Sequence, residues 1–146
     1  MKKSIAWVAA AWFGAACQEG KKVEFDRRPV IQPVSVSPQT LAALRDTLNI
    51  VVKYTDGDGD LGHAHPDSNA IFVTDSRNGV VHRFRLQPLA PEGHGDLPIT
   101  GNIRVLVGGI PNLSGQSEMA TFEVFLKDRA GNESNRIPTP EITVLP

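Results

Sequence analysis

The chain has 146 residues, a formal charge of −1, 21% charged and 6% aromatic residues, 13 Gly, 11 Pro and one Cys, which fits one domain of ordinary globular composition and excludes two large ones. A near-neutral charge with no basic run longer than two residues argues against a nucleic-acid partner, because phosphate contacts need a surplus of Lys and Arg on one face. One cysteine can form no intramolecular disulfide and supplies no Cys₄ or Cys₂His₂ zinc site.

The first element in chain order is a leader. Met1-Lys2-Lys3 precedes an uncharged run from Ser4 to Ala16, the charged n-region, apolar h-region and small residues of a signal peptide spanning 1–16. Its dozen or so apolar residues are too few to cross roughly 30 Å of hydrocarbon as a helix, and no later stretch approaches the about 20 needed. Gly14-Ala15-Ala16-Cys17 resembles the lipobox of bacterial lipoproteins, in which a cysteine after small residues is lipidated and becomes the new first residue. Gly14 stands where that pattern most often has Leu. The resemblance implies lipidation of Cys17 and membrane attachment through its acyl chains, each buried CH₂ contributing about 0.8 kcal/mol. Removing the leader also removes Trp7 and Trp12, and leaves 13 basic against 16 acidic residues, a formal charge of −3.

Residues 17–30 follow as the lipidated cysteine and a polar tether with no hydrophobic period, able to reach on the order of 40 Å when extended. Gln18-Glu19 resembles the acidic export signals of surface lipoproteins in Bacteroidota-type bacteria. The expected location is the outer membrane, on its periplasmic face or at the cell surface.

From 31 to 146 the pattern alternates with period two between Gly, Pro and Asp clusters, the signature of an antiparallel all-β domain. Leu48, Ile50, Val52 and Tyr54 share one face against Asn49 and Lys53. Strands are expected near 31–37, 47–55, 70–75, 80–87, 102–107, 119–127 and 137–144, with one helical turn over Gln39 to Arg45. Asn78-Gly79 predicts a two-residue type I′ hairpin, whose positions both need φ > 0. Seven short strands in about 115 residues predict an Ig-like sandwich. Phe122-Glu-Val-Phe-Leu-Lys-Asp128-Arg-Ala-Gly-Asn-Glu-Ser-Asn135 and Ile142-Thr-Val144 resemble the last hairpin of bacterial Ig-like and fibronectin-type repeats. With Tyr54-Thr-Asp-Gly-Asp-Gly-Asp-Leu-Gly62 they resemble a group of Bacteroidota lipoproteins that carry one such domain.

The chemistry concentrates in Asp56-Gly-Asp58-Gly-Asp60-Leu-Gly62. Ca²⁺ takes about six to eight hard oxygen ligands, and carboxylates alternating with glycines let a loop wrap one point. The run resembles the calcium loops of EF-hands and thrombospondin type-3 repeats, with Asp56, Asp58, Asp60 and Asp67 at positions one, three, five and twelve. It departs from the EF-hand at Leu61, where Gly is required, at Asp67, where Glu is usual, and at Pro66, which interrupts the exiting helix. In a sandwich of this topology the loops at 56–69, 88–101 and 128–136 share one end. That gathers Asp56, Asp58, Asp60, Asp67, His63, His65, His94, Asp96, Asp128 and Asn132, and makes Asp56, Asp58, Asp60, Asp67 and Asp128 the candidate Ca²⁺ ligands. The plain alternative is a solvated acidic turn.

His63 and His65 are two apart and face one way in an extended segment, but two imidazoles make half a transition-metal site. His82 falls among core-facing residues. Asp128 and Glu133 form a possible acid pair. No nucleophile elbow, phosphate loop or Ser/His/Asp arrangement is present. The expected function is a lipid-anchored, non-enzymatic Ig-like module that binds a protein or glycan or acts as an envelope scaffold. The alternative is a small metal-dependent enzyme or metal carrier using the loop end.

Overall fold

The computed structural model describes residues 26–91, 93 and 97–146. The leader, Cys17, most of the tether, His94 and Asp96 lie outside them.

The alternation sets the architecture. In β3 (Leu48–Asp56) every second residue from Leu48 to Asp56 is buried, as a strand with one face on a core requires. It pairs antiparallel with β1 (Val30–Ser37) on one side and with β6 (Ile99–Val107) on the other. A second layer runs β5 (Val81–Phe84), β4 (Ile71–Asp75), β8 (Phe122–Leu126) and β9 (Ile137–Pro138). It is continued by a small sheet of β2 (Thr40–Ala42), β10 (Ile142–Leu145) and β7 (Glu118–Ala120). Ile31, Ile50, Val52, Ile103 and Val105 from the first layer form one apolar cluster with Val73, Phe122, Val124, Leu126 and Val144 from the others. The result is an all-β sandwich.

Among the described residues ten strands stand where the sequence predicts seven, and each difference has an identifiable cause. The strand expected at 137–144 is split because Pro138 and Pro140 have no N–H to donate. Thr139 bridges the gap, its Oγ1 accepting from Phe122 N at 2.9 Å and its N donating to Phe122 O at 2.7 Å. The partner strand at 119–127 breaks at the same level, between β7 and β8. The turn predicted as helical over Gln39 to Arg45 is instead β2, which runs parallel to β10, followed by a turn whose Leu44 has φ 59. Pairing with β10 outweighs the local tendency, and the Asp46 carboxylate accepts from Ala42 N at 2.8 Å to close the turn.

The hairpin between β4 and β5 is present but is not type I′. Gly79 has φ 73 and Asn78 keeps negative φ, and the loop spans 76–79, with Asp75 N donating to Val80 O and Gly79 N to Asp75 O. Arg77 decides this geometry. Its guanidinium lies between Asp75 and Glu118, tying the hairpin to β7. His82 pairs across to the buried Val73, the structural position its alternation predicts.

Candidate metal centre

Asp56 is the last residue of the inward series Leu48, Ile50, Val52, Tyr54, so strand geometry alone turns its carboxylate into the mouth of the core. It is fully buried. Its Oδ2 accepts from Leu61 N at 3.1 Å, which folds 56–61 into a tight loop, while its Oδ1 has no partner. The loop carries two more such atoms, Asp58 Oδ1 and Asp60 Oδ1, both buried and unpartnered. One carboxylate oxygen from each of the three residues lies within 4.8 Å of the other two.

The glycines permit this convergence. Gly59 (φ 70) and Gly62 (φ 86) are left-handed, and a Cβ would run into the carbonyl oxygen of Leu97 at the first and of Gln87 at the second. Gly62→Ala is therefore expected to cost about 2 kcal/mol or more in urea denaturation, from strain and contact together. Gly79→Ala, also at positive φ but with nothing near the added Cβ, should cost only about 1 kcal/mol.

A second loop completes the cage. Asp60 Oδ2 accepts from Ala130 N at 3.0 Å and Asp60 O from Arg129 N at 3.2 Å. The Arg129 guanidinium donates to Gly62 O at 3.1 Å and Gly59 O at 3.4 Å. Asp128 is buried behind the cluster with both oxygens used, Oδ1 by Asn132 N at 2.7 Å and Oδ2 by Asn132 Nδ2 at 2.8 Å. It contributes charge to the site, while its oxygens hold the second loop in shape.

Electrostatics follow from this geometry. Burial, reinforced by Asp58, Asp60 and Asp128, pushes the Asp56 carboxyl up to about 7 against the hydrogen bond from Leu61 N. Burial, then Asp128 and Asp58, also raises Asp60. Burial and then Asp56 raise the Tyr54 phenol. Three buried acceptors without donors are costly, and a cation is the group that satisfies all three at once. Every donor is a hard oxygen, which selects the Ca²⁺ and Mg²⁺ class over Zn²⁺ or Cu²⁺. With Ca²⁺–O bonds of about 2.4 Å, oxygens this close come into reach of one shared ion after a small inward movement of the side chains.

Not every candidate residue joins. Asp67 lies away from the cluster, with a side chain 89% exposed beside His65. The EF-hand register fails there because the chain departs after Gly62: His63 N donates to Leu86 O, and a turn closes from Ser68 N to His65 O around Pro66. His63 is half-buried and His65 exposed, and neither belongs to the carboxylate group. Asp128 and Glu133 are not an acid pair, since Glu133 binds Arg136 at 2.8 Å. The clamp by Arg129 and Ala130 N was not predicted from the sequence. Its only trace there is an Arg directly after Asp128.

Comparison of the chain with protein-family models, with curated proteins and with solved structures finds no match.

Proposed function

We propose that this chain is a lipid-anchored Ig-like module of the bacterial cell envelope that binds or scaffolds a protein or glycan partner, with its loop end organised around a Ca²⁺-class cation held by Asp56, Asp58 and Asp60. One observation carries the cation reading: the fully buried, unpartnered Asp56 Oδ1 beside the equally unpartnered Asp58 Oδ1 and Asp60 Oδ1. A merely solvated acidic turn would expose these atoms to water. Bound there, the cation would neutralise the carboxylates and fix the loop, a structural contribution. Asp128 and Arg129 would then tie that loop to 128–132.

The anchoring is supported by Lys2-Lys3, the apolar run to Ala16 and the small residues before Cys17. Wild-type protein is expected in the membrane fraction and labelled by a fatty-acid analogue, and Cys17→Ser is expected to lose the label. Unlabelled wild-type protein would remove the anchor from the account.

The experiment for the cation is metal content after equilibrium dialysis of the full chain in detergent. Calcium near one per chain is expected, unchanged by replacing His63 and His65 with Ala. Stoichiometric zinc or copper lost in the double variant would favour the metal-carrier or metalloenzyme reading.

A further inference from the structure

We propose that the outer edge of β6 is a self-association surface at which two copies of this chain join antiparallel into one six-stranded sheet. The proposal is independent of the cation site. Among the described residues β6 ends its sheet and pairs only with β3, through nine consecutive residue pairs without a bulge. It contains no proline, and Arg104 is its one charge. A long, regular, unblocked edge is a template for another strand.

Every other sheet edge among the described residues is blunted. β1 carries Pro33 and a register shift between Pro33 and Ser35. Its edge groups are also occupied by side chains: Asn135 bonds Ile31 N at 2.8 Å and Ile31 O at 2.9 Å, and Gln39 donates to Val36 O at 3.0 Å. β2 and β7 have three residues each, β5 has four, and β9 has two, one of them Pro138. The described residues of the connection from β5 into β6 bond away from the β6 edge. Leu86 and Leu89 bond to His63 and Leu61, and Leu97 backs Gly59, all at the loop end.

The occupant that fits is a second copy, because the strand is complementary to itself. Pairing about Ile103 uses all nine residues and sets Ile99 opposite Val107 and Gly101 opposite Val105, which extends the core-facing row. On the other face Thr100 meets Leu106 and Asn102 meets Arg104, so no like charges are directly opposed. A register centred on Arg104 would oppose two guanidinium groups, an unfavourable pair. The joined sheet would end in two blocked β1 edges, so assembly closes at two. A strand about 30 Å long buries less than the about 1,200 Å² of a standard interface, so this is a weak dimer that needs high local concentration.

The test uses the full chain with Cys17→Ser in detergent micelles, carrying Asn102→Cys or Arg104→Cys, oxidised separately or as a mixture. Both positions are exposed, and melting curves check that each variant folds. Disulfide-linked dimer in the mixture is expected at about ten times the level in either sample alone, since position 102 faces 104 of the other copy and not itself. A Ser35→Cys sample, on the blocked β1 edge, should give none. No dimer in the mixture, equal dimer in the separate samples, or equal dimer from Ser35→Cys would each overturn the proposal.

Discussion

Millimolar calcium is expected to raise the melting temperature of the domain by about 10 °C, and Asp58→Ala is expected to remove most of that shift. A ligand that binds only the folded state at about 100 times its Kd stabilises by about 2.7 kcal/mol. For a domain of this size each kcal/mol moves the midpoint by about 4 °C. Asp58 is the variant of choice because Asp56 and Asp60 also accept backbone hydrogen bonds, from Leu61 N and Ala130 N. Losing those would unfold the loop for reasons unrelated to a cation. Superimposable melting curves in calcium and in chelator would reject the site.

In chelator, stability is expected to fall as pH rises from about 4 to about 7, opposite to the usual behaviour of a paired carboxylate. In the folded chain the Asp56 carboxyl titrates at about 7 against an ordinary 3.8. Between these values the folded state holds a proton that the unfolded state has released. The stabilisation is complete below the lower value and is lost as pH passes the upper one. At about 1.4 kcal/mol per pH unit the loss reaches at most about 4 kcal/mol, with Asp60, also raised, acting in the same direction. Calcium bound at the proposed site would favour the ionised carboxylates, so its presence should flatten or reverse the slope, and its affinity should weaken toward acid pH. Asp56→Asn should abolish the slope and the calcium response together. Urea denaturation at four pH values, with calcium and with chelator, measures all of this. A chelated protein that gains stability from pH 4 to 7 would contradict the assignment.

The strands were legible because alternation is a local pattern: Leu48 to Tyr54 declares its buried face without reference to anything else. The breaks were not, because they depend on partners. Thr139 replaces a missing proline donor only when Phe122 lies opposite, and β2 forms only because β10 runs beside it. The three close aspartates were legible as a loop that could wrap a cation, since alternating glycines signal tight turning. Asp67 was misplaced because EF-hand spacing presumes an exiting helix, and here Pro66 and the bond from His63 to Leu86 turn the chain away. The role of Arg129 comes from contacts across 67 and 70 residues, which no local pattern encodes.

The most direct measurement uses Tyr54, the single tyrosine of the chain, as an optical reporter of the site. It lies two residues before Asp56 on the same face of β3, about 7 Å away along the strand, within range to sensitise a bound lanthanide. Titrating the full chain with Tb³⁺ and exciting the tyrosine should give green Tb³⁺ emission that saturates near one ion per chain and is displaced by calcium. Tyr54→Phe should lose the emission yet keep the calcium-induced rise in melting temperature, and Asp58→Ala should lose both. Emission unchanged in Asp58→Ala, or none at any Tb³⁺ concentration in the wild-type chain, would contradict a cation site formed by Asp56, Asp58 and Asp60.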